Sequence, residues 1–180
     1  MEHKFSTHIV SSKTQILILG TFHPDGDTGA SFFYGRSRNY LWKILPTVMT
    51  GKNTDLKRAS DEDKKKFMVD YNIDFIDLVE CADICANDKK NYSDLFLDKH
   101  IIKWREITEE IDKLKDLKAV YFTRKTFIGI PKIEMKVSKI RNYCMNKKIR
   151  FCLLETPARY SNDNKIEKWK NTIFHKTTCL

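Results

Sequence analysis

The chain of 180 residues has no apolar stretch long enough to cross a lipid bilayer. Its first apolar run, residues 16–19, is followed at once by Gly20 and polar residues, so the N-terminus also lacks the layout of a secretory signal peptide. No internal repeat, low-complexity tract or linker is present. These absences predict one domain over residues 1–180, a cytoplasmic location and no membrane partner.

Several common enzyme signatures are also missing, namely the P-loop, G-x-G-x-x-G, H-E-x-x-H and G-x-S-x-G. Nucleotide hydrolysis, hydride transfer and zinc proteolysis are therefore poor candidates. The five cysteines are an odd number and show no spacing typical of a metal site, since Cys81 and Cys85 form a C-x-x-x-C pair without a partner pair. The sequence predicts mostly core thiols rather than a disulfide framework, and no metal.

Basic residues are the most abundant charged groups in the chain. Thirty-three Lys and Arg against 24 Asp and Glu give a net charge of +9 and a pI near 9.2. This excess favours a polyanionic partner, although a lysine-rich solvated face explains the same numbers. The run of lysines at 64–66 is expected to form such an exposed helical face.

Apolar runs alternate with segments of helical period along the chain. Strands are predicted over 14–20, 73–79, 119–122 and 151–154, and helices from 39, over 60–71, over 104–117, through Ile133 to Cys144, and around Trp169. This order predicts a three-layer α/β/α sandwich with a mainly parallel central sheet. Its ligand site is expected at the carboxyl ends of the strands, where the loops after Gly20, at 81–92 and after Leu154 meet.

The most informative segment lies between the first strand and the first helix. It reads Ile16-Leu-Ile-Leu-Gly-Thr-Phe-His-Pro24 and then Ser31-Phe-Phe-Tyr-Gly-Arg-Ser-Arg-Asn-Tyr-Leu-Trp42. A buried strand, a Gly/Pro turn, an aromatic cluster and an Asn that opens a helix together predict a pocket for a flat ring.

On these residues the chain resembles the uracil-DNA glycosylase superfamily, and most closely its mismatch-specific and hypoxanthine-DNA glycosylase branches. The resemblance is strongest over residues 16–45, where Asn39-Tyr-Leu-Trp42 fits the family segment well. Three later pieces keep family order: the strand at 73–79, the strand at 119–123, and Leu153-Leu-Glu-Thr-Pro157. The resemblance implies a uracil-DNA glycosylase-like fold and a DNA partner, double- or single-stranded.

The resemblance also shows where the chain departs from the family pattern. Family members that use the first motif for catalysis place Asp or Asn two residues after the Gly, whereas this chain has Phe22. The hypoxanthine-type branch relies instead on an Asn that matches Asn39, and His23 and Asp25 are further catalytic candidates in the same region. Residues implied to bind the base are Gly20, Thr21, Phe22, Phe33 and Tyr34.

The reaction that the resemblance implies explains these residue types. Breaking an N-glycosidic bond puts positive charge on the sugar and negative charge on the departing base, and it requires no metal or organic cofactor. Tyr34 is expected to stack on the extruded base, Asn39 to orient water or the base edge, and His23 to donate a hydrogen bond. Each has a structural alternative: a packed aromatic, a helix cap, and a residue of the turn.

Contacts to DNA are expected from two segments. Arginines near the strand ends are suited to neutralise phosphates, and Arg159 or Tyr160 is expected to fill the space that an extruded base leaves in the duplex. An exposed loop with no such role is the alternative. The predicted DNA-binding residues are Arg36, Arg38, Thr156, Pro157, Arg159, Tyr160 and Ser161.

Two functions follow from this interpretation. The first is a monomeric, monofunctional DNA glycosylase that removes a deaminated or modified base and leaves an abasic site. It would act at the nucleoid in base-excision repair or, because residues 25–31 are mostly small, in defence against modified foreign DNA. The second is a catalytically silent nucleic-acid- or nucleobase-binding module, suggested by Phe22 and by the eroded loop at Thr156 and Pro157.

Overall fold

The computed structural model describes residues 1–25, 30–84 and 93–174. Strands and helices alternate along most of the chain. In order they are β1 (Ile16–Gly20), α1 (Leu41–Thr50), α2 (Asp61–Tyr71), β2 (Ile73–Asp77), β3 (Val79–Ala82), α3 (Asp94–His100), β4 (Ile101–Trp104), α4 (Ile107–Lys113), β5 (Ala119–Phe122), α5 (Pro131–Asn146), β6 (Arg150–Leu153) and α6 (Asp163–Phe174).

A four-stranded sheet in the order β2-β1-β5-β6 forms the centre of the molecule, and all its pairings are parallel. Successive side chains of a strand point to opposite faces. In β1, Leu17 and Leu19 therefore enter the core shared with α4 and α5, whereas Ile18 enters the core shared with α1, α2 and α6. The predicted three-layer α/β/α sandwich with a mainly parallel sheet is confirmed.

The strand order places a crevice between β1 and β5. The chain leaves β1 for β2 on one side through α1 and α2, and later returns to β5 on the other side of β1. Loops that leave the carboxyl ends of two such strands diverge, which opens a cleft between them. The fold thus provides a site beyond Gly20 and Phe122, the last residues of β1 and β5.

Local sequence explains the helix that leads away from this cleft. Pro46 lies inside α1 and lacks the N–H that would pair with the carbonyl of Trp42. The N–H of Leu56 donates to that carbonyl instead, at 2.7 Å. The helix therefore continues to Gly51, which ends it in the left-handed conformation with φ of 68°.

Two element predictions were wrong in detail. The strand predicted over 73–79 divides at Leu78, because β3 leaves the sheet and pairs with β4. Trp104, predicted to begin a helix, lies in β4 opposite Val79, and only the turns around Ile107 and Ile111 are helical.

Two smaller predictions about side chains also need correction. Lys64 is 5% exposed and 3.6 Å from Asp61, so it does not belong to the solvated face of α2. Cys81 and Cys144 are free, but only Cys144 is a core thiol, since Cys81 is partly exposed, and Cys152 is disulfide-bonded.

The N-terminal segment is hydrogen-bonded close to the carboxyl ends of the central strands. The N–H of His3 donates to Glu80 O, and the N–H of Lys4 donates to His23 O. These bonds hold the segment between β3 and the turn after β1, which brings His3 to the end of β2. Among the described residues, no helix is long and apolar enough to cross a membrane.

Candidate functional site

A cavity of about 200 Å³ opens at the carboxyl ends of the parallel strands. It is smaller than the pockets of about 300 Å³ or more that hold drug-sized ligands, so it suits a single small ring. It receives the loops after β1, β5 and β6 together with the segment before α1. The residues that line it are Gly20, Thr21, Phe22, His23, Phe33, Tyr34, Arg36, Asn39, Asp77, Asp94, Thr123, Arg124, Thr156, Pro157 and Ala158.

The floor of the cavity is built over Gly20. A Cβ at this position would lie 2.0 Å from Asp77 Oδ1 and 2.8 Å from the Tyr34 hydroxyl. No side chain fits there, so glycine is required for the close approach of these two groups. Register places Asp77 beside Gly20, since the two residues pair at the ends of β2 and β1.

Tyr34 is held by its hydroxyl as well as by its ring. The hydroxyl lies 3.1 Å from Thr123 Oγ1, and the ring packs at a tilt on Phe75 with centroids 5.6 Å apart. Burial raises the pKa of Tyr34 well above its usual value, and the nearby Asp77 adds to this effect. The phenol therefore stays protonated, which adds a hydrogen-bonding role to the predicted stacking role.

Asp77 is held in place by His3. The His3 Nε2 lies 2.7 Å from Asp77 Oδ2, and His3 Nδ1 accepts from the N–H of Phe5 at 3.0 Å. Because Nδ1 accepts, the ring proton is on Nε2 and donates to the carboxylate. Both side chains are buried, with exposures of 1% for His3 and 6% for Asp77.

A second carboxyl group, that of Asp94 at the start of α3, also lines the cavity. Burial raises its pKa, while Arg124 and a hydrogen bond from Thr21 act in the other direction. The Arg124 Nη2 lies 2.7 Å from Asp94 Oδ2. Asp94 is thus oriented by two partners and is a stronger base than an ordinary aspartate.

His23 lines the cavity and is 5% exposed. Burial lowers its pKa to about 4, with Arg36 and His3 adding to the shift and Asp77 opposing it. The Nε2 atom has no hydrogen-bond partner among the described residues. At neutral pH the ring is therefore uncharged, and Nε2 can act as a donor or as an acceptor according to the tautomer.

The lowered pKa of His23 predicts a loss of stability in mild acid. Unfolding restores its pKa from about 4 toward 6.5, so the unfolded chain binds the proton first as pH falls. We expect the free energy of unfolding to drop by about 3 kcal/mol between pH 6.5 and 4, and this component to be absent in His23→Gln. Urea titrations across that range measure it. An identical pH slope in His23→Gln and in the His100→Gln control would refute it.

Asn39 stands where the wall of the cavity meets α1. Its Oδ1 accepts from the N–H of Leu41, the first residue of α1, at 2.9 Å, while Tyr40 occupies the N-cap position of that helix. This bond uses one of the two lone pairs of Oδ1, and the Nδ2 donors make no hydrogen bond to the described residues. The residue can therefore donate to a base through Nδ2 and can still accept from a water through Oδ1.

The loop after β6 is tied to the segment around Asn39. The N–H of Arg159 donates to Arg38 O at 2.8 Å, the N–H of Tyr40 donates to Pro157 O at 2.9 Å, and Asn39 bridges Ala158. This short antiparallel ladder, residues 38–40 with 157–159, joins the cavity wall to the loop. The sequence predicted both segments at the site but not their pairing.

Lys165, on α6, binds the backbone carbonyls of the same loop. It is 2% exposed, and its ammonium donates to the carbonyls of Thr156, Ala158 and Tyr160 at 3.0, 3.2 and 2.9 Å. The ammonium also lies 3.6 Å from the centroid of the Tyr160 ring. Burial lowers the pKa of Lys165. Sequence reasoning overlooked this residue because a lysine on a helix usually faces solvent.

Several predicted residues lie outside the cavity lining. Asp25 is exposed, and so is Arg38. Arg159 is exposed with φ of 76°, whereas Tyr160 is turned back onto Lys165 and its hydroxyl donates to Glu155 at 3.2 Å. Arg159 is therefore better placed than Tyr160 to reach a duplex. The remaining predicted residue outside the lining is Ser161.

The sequence missed the two carboxyl groups and Thr123. Asp77 was hidden inside a strand predicted to run to residue 79, and Asp94 follows the predicted loop at 81–92, of which residues 85–92 lie outside the described residues. In both cases the position of the carboxyl group depends on the exact residue at which a strand ends or a helix begins, and the sequence pattern did not identify that residue. Within the described ranges, no group of three or more His, Cys, Asp or Glu side chains could hold a metal ion.

No protein-family model matches the chain, and no curated protein matches its sequence. A solved structure does match: the solution NMR structure of a "putative Uracil DNA glycosylase" from Methanosarcina acetivorans, with a TM-score of 0.60 and 17% sequence identity over 89% of each chain. At this identity the likeness concerns the fold. The chain thus has a mixed α/β fold of the uracil-DNA glycosylase type, with its cavity at the carboxyl ends of the parallel strands.

Proposed function

We propose that the chain is a monofunctional DNA glycosylase that binds an extruded base in the cavity and hydrolyses its N-glycosidic bond. One observation carries the proposal: on a uracil-DNA glycosylase-like fold, the predicted base-binding residues and Asn39 line one cavity of about 200 Å³ at the strand ends. A cavity of this size admits a nucleobase only after it has left the duplex stack.

The side chains in the cavity match the two charges that develop during the reaction. The departing base gains negative charge, and the Nδ2 donors of Asn39 and the neutral ring of His23 are available to stabilise it. The sugar gains positive charge, and the carboxyl of Asp94 is suited to stabilise it and to position the attacking water. Asp94 would thus supply the polar group that Phe22 lacks.

The DNA backbone is expected to lie along the basic rim of the cavity. Arg36 and Arg124 line the cavity itself, and the exposed Arg38 and Arg159 lie on the ladder beside it. Such side chains contact phosphates without reading sequence.

DNA affinity should accordingly fall with salt. Replacing Arg36 and Arg38 by alanine together should weaken binding alike for all sequences and reduce the salt slope by about 1 for each phosphate that is no longer neutralised. Fluorescence anisotropy between low and physiological salt measures the slope. The matched control is Lys65→Ala with Lys66→Ala, which removes the same charge from α2. Equal slopes in the two double variants would contradict this arrangement.

Base release is the decisive test of the proposed activity. The purified chain is incubated with oligonucleotides that carry uracil, hypoxanthine, xanthine or a hypermodified base, and alkali then cleaves the abasic sites. We expect release from at least one member of the panel, which would also separate a role in repair of deaminated DNA from one in defence against modified DNA. DNA binding without release from any substrate would favour the silent binding module that Phe22 suggests.

A further inference from the structure

We propose that the cavity selects bases that present an exocyclic amino group to its floor, as 4-aminopyrimidines do, rather than bases with a carbonyl there. This inference rests on the proposed function, since it names the substrate class of the same site. It follows from which hydrogen atoms at the floor of the cavity already take part in hydrogen bonds within the protein.

The hydroxyl of Tyr34 has a partner within the protein. It lies 3.1 Å from Thr123 Oγ1, and either oxygen can be the donor of that bond. Thr123 Oγ1 also lies 3.3 Å from the carbonyl of Leu19, to which it can donate. We infer the arrangement in which Thr123 donates to Leu19 and Tyr34 donates to Thr123, because it uses both hydroxyl hydrogens, and the phenol oxygen then offers a ligand its lone pairs.

Asp77 likewise presents only an acceptor. The His3 proton is used on Oδ2, and Oδ1 receives no hydrogen bond from the described residues. Oδ1 belongs to a side chain that lines the cavity and is turned toward Gly20. A carboxylate oxygen that lines the cavity and has no donor among the described residues can accept a charge-assisted hydrogen bond from a ligand that supplies a donor at this point.

The two free acceptors converge. Asp77 Oδ1 and the Tyr34 oxygen lie 2.0 and 2.8 Å from the position that a Cβ of Gly20 would occupy, so they are at most about 4.8 Å apart, the sum of those distances. An amino group carries two hydrogens and can donate to both oxygens at once. A ring N–H has one hydrogen, and a carbonyl oxygen would face two acceptors.

The preference is tested by binding, so that it does not depend on turnover. Oligothymidine strands carry one central 2′-fluoro-2′-deoxycytidine or 2′-fluoro-2′-deoxyuridine, because the fluorine disfavours the oxocarbenium-like transition state and the strand stays intact. Single strands remove differences in base pairing. We expect the cytidine strand to bind roughly 10- to 100-fold more tightly than the uridine strand, as for hydrogen bonds to a charged acceptor.

Asp77→Asn is the informative variant, because its amide can present a donor where the carboxylate presents an acceptor. The preference should then disappear or reverse in favour of uridine. The matched control is Asp74→Asn. Asp74 is also on β2, is 3% exposed and lies 2.8 Å from His8 Nε2, but it does not line the cavity. The control should keep the wild-type preference, and circular dichroism checks that both variants fold.

The outcomes separate this inference from the proposed function. Equal binding of the two strands by the wild-type chain, or tighter binding of uridine, would overturn the amino-group preference whether or not any base is released. A preference that survives unchanged in Asp77→Asn would overturn the assignment of the floor. A cytidine preference with no base release from any substrate would support the inference and overturn only the glycosylase proposal.

Discussion

Replacement of Asn39 by alanine is expected to slow base release by roughly 10²- to 10³-fold, the usual effect of losing one donor to a charge that develops in the transition state. The Nδ2 group of Asn39 makes no hydrogen bond to the described residues, while Oδ1 accepts from the N–H of Leu41. DNA affinity should change little, since an amide contributes no charge to the phosphate contacts. Single-turnover rates on a confirmed substrate measure the effect.

The structural and the donor roles of Asn39 can be separated by a second variant. Asn39→Ala also removes the hydrogen bond from the N–H of Leu41, which is expected to lower the free energy of unfolding by about 1 kcal/mol. Asn39→Asp keeps an oxygen for Leu41 and loses both Nδ2 hydrogens. If the Nδ2 donor stabilises the departing base, Asn39→Asp keeps the wild-type stability but releases the base slowly. Recovery of the wild-type rate in Asn39→Asp would show that Asn39 acts only by holding the start of α1.

Replacement of Lys165 by methionine is expected to lower the free energy of unfolding by about 2–4 kcal/mol. Methionine keeps much of the side-chain volume but leaves the carbonyls of Thr156, Ala158 and Tyr160 without their shared donor. Thermal or urea unfolding measures the decrease. Lys168→Met is the control, because Lys168 is on the same helix, is half exposed and forms an ion pair with Glu155 at 3.5 Å instead of binding the carbonyls of the loop.

The same variant should alter the use of paired DNA. If the loop at 156–160 supports base extrusion, Lys165→Met and Arg159→Ala should each slow release from a duplex more than from a single strand, where no stack has to be opened. Equal slowing on both substrates would indicate that Lys165 serves stability alone. Unchanged duplex turnover in Arg159→Ala would remove the proposed contact of Arg159 with the vacated space.

Most of the predicted residues that line the cavity belong to the segment from Gly20 to Asn39, and Thr156 and Pro157 come from the loop after β6. A strand, a turn and a helix start bring the first segment to the cavity, although Asp25 and Arg38 within it lie outside the lining. The fold class followed in the same way from alternating apolar strands and amphipathic helices. Neither inference required a knowledge of long-range contacts.

The site residues that the sequence analysis missed depend on contacts between distant parts of the chain. His3 reaches Asp77 across 74 positions of sequence, and Tyr34 reaches Thr123 across 89. In each pair a residue outside the strands meets a residue at the end of a strand, and only the packed fold brings the two together. Trp104 shows the same limit, since its apolar spacing fits a helix while its pairing with Val79 makes it a strand residue.

The ladder between residues 38–40 and 157–159 has a mechanical consequence. Backbone bonds of 2.8 and 2.9 Å join the loop that carries Arg159 to the segment that carries Asn39. If Arg159 contacts a duplex as proposed, a displacement of that loop is transmitted to the start of α1 and to Asn39. Under the proposed function, correct docking on DNA and correct placement of the Asn39 donor would then depend on the same two hydrogen bonds.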